Sequence, residues 1–442
     1  MQRGERGQVL VMYTVALAAM LGMVGLVTDI GWANFRQQAA QKAADAAALA
    51  SVKAALAGSG NGFSCGSNNL VCQAATACSS ALPTSPATNA DTACLYANAN
   101  GFRTSGNQMV TVEANAAPAP PPTLPGVAPA YWVTVRISES IPQLFSAVLG
   151  NPRATVTARA TAAVVPNGLA CIYALDPAAQ DAVQDQQGSN LTANCGVYVD
   201  STSQQALTCD GPVSSTNINV VGGYTGTGCT PTPKVGVNSA PDPLSYLPAP
   251  VVQVGCNHTN LQIGQGQTIT LSPGTYCGGI FVGSGASVTL NPGTYYLEGG
   301  GLDTTQNAAF NGTGVTFVQT SSGSSGTPLG MLLESQSNVT LRAPTTGTYT
   351  GILWYSKGNG RVLNDIQSQS TARLEGVLYT PDEDWLVQGQ SQVTQSDPSA
   401  ASYTGLVAQT LRVNGSGAAF TFKSNYAGLG DGAPFLKTAL LE

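Results

Sequence analysis

An apolar run near the N-terminus constrains this chain more than any other feature. Residues 9–27 carry no charge; Arg3, Glu5 and Arg6 precede them and Asp29 follows. At 1.5 Å per residue, about 19 helical residues reach roughly 29 Å, the hydrocarbon thickness of a bilayer. The two arginines before the run set an orientation, because positive flanks stay in the cytoplasm and residues 29–442 are then exported. A cleaved export signal has a shorter core, about 7–15 residues, and ends at a small-x-small site. No Ala-x-Ala follows this run before Trp32. The expectation is one uncleaved membrane span over residues 9–27, so that residues 1–28 comprise a cytoplasmic head and the anchor.

The next segment, residues 35–56, reads FRQQAAQKAADAAALASVKAAL and contains neither Gly nor Pro. Such a composition has the highest helix propensity available. The span is therefore expected to continue as an Ala-rich helix over residues 29–57. Ala46, Leu49, Val52 and Leu56 recur at spacings of three and four and form a thin apolar stripe. Small residues on the other faces allow close helix approach, as does the pair Ala18 and Gly22 inside the span. Two uses stay open: packing on its own domain, or docking on partner helices.

Arg6-Gly7-Gln8, the apolar run, Asp29-Ile30-Gly31, Gln37-Gln38 and Ala44-Asp45-Ala46-Ala47-Ala48-Leu49-Ala50 carry a resemblance. Together they resemble the N-terminal motif of TadE/TadG-like proteins of the Tad (tight adherence, Flp) pilus-assembly family. Residues 109–113 (MVTVE) and 131–136 (YWVTVR) look like two strands of the same module around a Pro-rich insert. Residues 140–150 (SIPQLFSAVLG) and 153–165 (RATVTARATAAVV) resemble its end, so the resemblance covers about the first 165 residues. It implies a bacterial inner-membrane protein with one span, a cytoplasmic N-terminus and a periplasmic or extracellular bulk. Other Tad assembly proteins or pseudopilins are the implied partners. The motif positions are Gly7, Gln8, Asp29, Gly31, Gln38, Ala44, Asp45, Ala46, Ala47, Ala48 and Leu49.

Two departures bear on role. Pseudopilin-like members carry Glu five residues after the processing Gly, and that position here is Met12. Cleavage after Gly7 is compatible with the motif, whereas polymerisation into a fibre is not supported. Some TadG-like members also carry a metal site of the Asp-x-Ser-x-Ser pattern. Asp200-Ser201-Thr202-Ser203 has the wrong spacing, so no metal is carried over.

Charged residues make up only 9% of the chain, against about 25% in typical globular proteins. Surface polarity must come from Ser, Thr, Asn, Gln and Gly, as in exported β-proteins. A net charge of −6 with no basic cluster argues against nucleic acid as a partner. All ten cysteines lie beyond residue 60 and none forms Cys-x-x-Cys, a pattern of disulfides rather than metal. Nearest-neighbour pairing gives Cys171 with Cys195, Cys209 with Cys229, and Cys256 with Cys277. It also gives Cys65 with Cys72 and Cys78 with Cys94, although sequence does not fix connectivity. The single histidine, His258, sits in a polar stretch and reads as a surface residue.

The C-terminal half holds an internal repeat. Residues 269–276 read ITLSPGTY and residues 288–295 read VTLNPGTY, while residues 339–349 (VTLRAPTTGTY) echo them with an insertion. Short β-runs separated by Gly, Asn and Ser fill the intervals. A period near 20 favours a β-solenoid, or parallel β-helix, whose turns of chain bury apolar positions only by stacking. An antiparallel β-sandwich is the alternative. The expected order is the cytoplasmic head and anchor (1–28), the Ala-rich helix (29–57) and a small α+β module (58–166). A Cys- and Pro-rich connecting or capping region (167–250) and a repeat-containing β-domain (251–442) follow. Residues 58–107 read as loop-heavy, and residues 116–122 (AAPAPPP) as a stiff connector.

No Gly-x-Ser-x-Gly, His-Glu-x-x-His or phosphate-cradling loop is present. The acidic cluster Asp382-Glu383-Asp384 reads as a solvated turn, with calcium binding or a place along a sugar groove as the alternatives; Asp303, Glu334, Asp365 and Glu375 are scattered. Neither catalytic residues nor a cofactor are expected. Trp354, Tyr379 and Trp385 are glycan-contact candidates if they form an exposed strip, although alternation along strands would send some inward. The sequence thus favours a non-enzymatic, membrane-anchored component of a Tad-type pilus assembly or secretion apparatus. A surface adhesin or glycan-binding β-helix is the alternative, and a polysaccharide lyase or hydrolase the second.

Overall fold

The computed structural model describes residues 6–58, 63, 65–66, 69–115, 129–166, 170–247, 249–251, 253–321, 327–394, 402–426, 429 and 435–441. Arg3, Glu5, residues 116–122, Asn167 and Gly168, on which sequence expectations fell, lie outside them. The chain divides into two units: residues 1–59, 63–165 and 437–442 form the first, and residues 60–62 and 166–436 the second.

The first unit is built on one helix, α1 (Arg6–Gly58), of 53 residues. Its apolar first part is exposed from Leu10 to Val27, apart from Gly25. Its second part buries Ala40, Ala43, Ala44, Ala47, Ala48, Ser51, Val52 and Ala55. These small side chains let α2 (Asn89–Ala99) and a β-sheet approach closely. The buried face is thus the small-residue face, while Ala46 and Leu49 of the expected stripe are only half-buried.

The region expected to be loop-heavy contains α2 because a capping box starts it. Thr88 Oγ1 accepts from Asp91 N at 3.1 Å, and Asp91 Oδ2 accepts from Thr88 N at 3.0 Å. The sheet is antiparallel in the order β1 (Gln73–Ala77), β2 (Gln108–Ala114), β3 (Tyr131–Pro142) and β4 (Arg153–Pro166). The strands expected on either side of the Pro-rich insert are β2 and β3. The C-terminal strand Leu436–Leu440 adds to β4, so the chain returns to its first unit at its end. Cys65–Cys72 and Cys78–Cys94 are both bonded.

The second unit is mainly β and its strands pair in parallel along three ladders. The repeated segments stack in register: Ile269 pairs with Val288, and Leu271 with Leu290. Val288 then pairs with Phe310, Phe310 with Val339, and Val339 with Ala372. The echo at residues 339–341 is therefore the same ladder two turns of chain later. Val288, Phe310, Val339, Ala372, Val393 and Phe420 are all fully buried. A parallel sheet is not the antiparallel sandwich held as the alternative.

The described residues of the region 167–250 do not form a separate connector or cap. Strands Ile172–Ala174, Val183–Asp185 and Asn190–Ala193 pair with the last turn of chain, at Leu406–Ala408, Leu411–Val413 and Ala419–Phe422. The first turns of this unit thus stack on its last. After Lys234–Val235 the chain must travel back along the stack, and the Pro-rich crossing makes that journey. Ala240 N donates to Asp200 Oδ1 at 2.9 Å, Tyr379 OH to Asp242 Oδ2 at 2.8 Å, and Lys357 Nζ to Leu247 O at 2.7 Å. Leu244 and Leu247 of this strap are buried in the core of the unit. Cys256–Cys277 fastens its far end, and Cys171–Cys195 and Cys209–Cys229 join adjacent turns.

Candidate functional site

The residues of the N-terminal motif lie along α1, and three points tie that helix to the rest of its unit. The first is Asp29, 4% exposed. Its carboxylate accepts backbone N–H groups from Leu144 at 2.9 Å, Phe145 at 3.0 Å and Ser146 at 2.6 Å. These donors open the short 3-10 helix Ser146–Leu149, so Asp29 satisfies amides that a helix start leaves unpaired. Burial pushes the Asp29 carboxyl upward, but the amides of Ser146, Leu144 and Phe145 outweigh it and hold the group below its ordinary value. One turn earlier, a Cβ built on Gly25 would fall 2.3 Å from the Phe145 ring. Only glycine leaves room for that ring on the helix.

The second point is Arg36, whose guanidinium meets Glu139 on β3 with Nε at 2.8 Å and Nη2 at 2.9 Å. It also lies 4.7 Å from the centre of the Phe102 ring. Burial raises the Glu139 carboxyl, while hydrogen bonds from Arg36 and Gln108 and the Arg36 charge bring it below its usual value. The third is Ser51, fully buried, which donates to Asn89 O at 2.7 Å; Asn89 Nδ2 in turn donates to Tyr131 OH at 2.8 Å.

Residues 7–58 match the family model of Tad, putative Flp pilus-assembly TadE/G-like. No curated protein and no solved structure matches the chain. The match covers α1 almost end to end; the resemblance read over residues 109–165 lies beyond the matched residues. Within the matched segment the structure separates two kinds of motif position. Asp29, Ala44, Ala47 and Ala48 are buried against their own unit. Gly31 and Gln38 face outward, while Asp45, Ala46 and Leu49 sit at the margin, with Asp45 Oδ1 accepting from Gln41 Nε2 at 2.8 Å. Gly7 and Gln8 belong to the first turn of α1. The helix is long and apolar enough to cross a membrane. Its small-residue face, however, is occupied by α2 and β3 and is not free to receive a partner helix.

The second unit corrects other expectations. Trp354, Tyr379 and Trp385 are fully buried, so they form no exposed strip for sugars. Trp354 continues an internal stack of Tyr276, Tyr295 and Phe317, with ring centres 5.7, 5.5 and 5.3 Å apart. Trp385 Nε1 donates to Thr380 Oγ1 at 2.9 Å. The acidic trio is not a solvated turn but part of strand Thr371–Gln388. Asp382 accepts from Gly358 N, Asp384 binds Arg361, and buried Glu383 accepts from Ser356 and Asn364. Burial pushes Glu383 up to about 7 despite those two donors, and the Asp382 and Asp384 charges add to the rise. Among the described residues no three His, Cys, Asp or Glu converge as a metal site.

Sequence reasoning missed a groove of about 840 Å³ along one ladder. Phe281, Leu329 and Leu363 expose apolar surface to it, with Asp303, Asp365 and Arg361 among them. Asp303 has an oxygen without a hydrogen-bond partner among the described residues, and burial with the nearby Glu334 charge raises its carboxyl. The register that aligns Asp303 with Leu332 and Leu332 with Asp365 was not legible, because insertions of unequal length separate these strands.

Proposed function

We propose that this protein is a non-enzymatic, membrane-anchored component of a Tad/Flp-type pilus assembly or secretion apparatus. The observation that carries the reading is the single helix α1, which the family model covers. Its first part exposes a continuous apolar surface, and its second part is locked into a folded unit. The N-terminus would lie in the cytoplasm, the apolar run in the bilayer, and residues 29–442 in the periplasm or beyond it. Five disulfides favour such an oxidising compartment. Three parallel ladders support reading the second unit as a β-solenoid, a stiff spacer or head rather than a catalytic domain. Partner pseudopilins would meet the exposed span within the bilayer.

Mass spectrometry of the intact chain from membranes and from sheared extracellular fibres tests the role. Full-length chain confined to membranes is the expected result and fits an anchor or assembly factor. Chain beginning at Gln8 and recovered in fibres would instead make it a processed minor pilin, despite Met12. Chain found only in the soluble fraction would overturn the reading.

A second reading, polysaccharide binding by the solenoid, is favoured by the groove at Phe281, Leu329 and Leu363. Binding to a glycan panel that falls on Phe281→Ala, with unfolding unchanged, would support it. No binding to the panel would remove it.

A further inference from the structure

The loop between β3 and β4 is fastened to α1 at a depth that bears on what surrounds it. Phe145 packs its ring on Gly25, which lies inside the uncharged run of residues 9–27. The neighbouring amides are held by Asp29, one helical turn further on, roughly 6 Å along the axis. Any bilayer that contains Gly25 must therefore also meet Phe145. The loop is suited to that position. No charged residue occurs between Glu139 and Arg153. Leu144 is 71% exposed, Val148 85% and Phe145 42%, so their apolar surface is not covered by the unit itself. Further along α1, roughly 5 and 9 Å past Asp29, Trp32 and Phe35 stack at 5.7 Å and are also exposed. Exposed aromatic and apolar side chains at the end of a span mark the membrane–water boundary region. The loop's first amides donate to Asp29 rather than to water, as a segment entering lipid needs.

We propose that residues 143–151 form a second membrane-contacting element, seated in the phospholipid interface beside α1. Asp29 is the clasp that holds it there, and Gly25 is the seat for Phe145. The occupant of this apolar surface is lipid. The continuity of the patch with the exposed span argues for that, since the loop is attached to α1 at Gly25 and Asp29, at the end of the uncharged run. A loop clasped in this way would fix the tilt and height of the unit above the membrane, because α1 alone could rotate and slide. The inference rests on α1 being a membrane anchor.

The test separates the two. All ten cysteines are paired, so an introduced thiol can be labelled alone. The full chain is reconstituted in phosphatidylcholine–phosphatidylglycerol vesicles at low protein density. The environment-sensitive dye NBD is placed at Val148→Cys, Met20→Cys or Met109→Cys, all exposed positions. Nitroxide-labelled lipids then act as quenchers. The expected result is blue-shifted emission and lipid quenching at 148 and 20, with 148 quenched best by shallow nitroxides, and neither change at 109 on β2. Quenching at 20 with none at 148 overturns the loop proposal and leaves the anchor standing. No quenching at 20 overturns the anchor itself. A blue shift at 148 without lipid quenching means that protein, not lipid, covers the loop, and also overturns the proposal. Adding Asp29→Ala to the Val148→Cys chain should weaken the quenching at 148 while leaving that at 20 intact.

Discussion

Asp29 and Glu383 are both buried carboxylates, and their surroundings push them in opposite directions. Asp29 is held low by three amides, so its contribution is present above the ordinary carboxylate range and is lost only as pH falls through its still lower folded value. Hydrogen exchange at Leu144, Phe145 and Ser146 should therefore stay protected through pH 4 and open in stronger acid. Asp29→Ala should expose the same amides at every pH; unchanged protection would show that the clasp is not the carboxylate. Glu383 behaves in reverse, because its folded value is raised to about 7 from 4.5. Its neutral form is the favoured one, so the stability it contributes is full below 4.5 and declines as pH rises through about 7. Glu383→Gln should therefore raise stability at pH 8, by on the order of 1–3 kcal/mol. It should also flatten the pH dependence of unfolding between those values, measured by denaturant titration. The sequence pointed to Asp29 through its motif but said nothing of its three amides, which arrive from residues 115 to 117 positions away. It misread Glu383, because three adjacent acids look like a solvated turn unless the register that buries the middle one is known.

At the scale of elements, α1 and the repeat were legible for the same reason: each is a periodic pattern within one stretch of chain. The run 9–27 and the Ala-rich segment specify helix by composition alone. The strings ITLSPGTY and VTLNPGTY specify stacked strands because parallel in-register pairing aligns residues one period apart. A second repeat escaped notice. The corner before one ladder takes a left-handed conformation at Gly266, Gly285, Asn307, Gln336 and Gln369, each two residues before a strand. Gly and Asn tolerate that region, and the glutamines form a side-chain contact, Gln336 to Gln369, at 2.9 Å. The aromatic residues were misassigned because strand alternation leaves open which face is inside until neighbours are known. Their burial leads to a definite expectation. Trp354→Ala removes the end of the stack through Tyr276, Tyr295 and Phe317 and should cost about 3–5 kcal/mol, read as an earlier denaturant midpoint. A loss of sugar binding with unchanged stability would contradict the burial.

For the second unit as a whole, what sequence could not convey is the order of stacking. Parallel ladders accept any turn of chain whose apolar positions match, and local pattern does not say which turn neighbours which. The chain places its first turns, residues 172–230, against its last, residues 404–422, so this unit is completed only by its end. Ser189 Oγ, for example, reaches Val413 O across 224 residues of sequence. Contacts of such separation form late, after a large entropic cost of closure. The joint can be tested by placing a charge within it. Leu411 is 1% exposed and pairs with Trp385 on one side and Val183 on the other. Leu411→Asp buries an unpaired carboxylate there and should cost several kcal/mol, about 3 or more. Limited proteolysis should then cut within residues 172–230, far away in sequence, before residues 258–342 are touched. Val235→Asp, at a position 53% exposed near the free end of the ladder, should leave the digestion pattern unchanged. If Leu411→Asp opened both stretches together, the unit would be one cooperative block, and the seam between its first and last turns would not be its weak point.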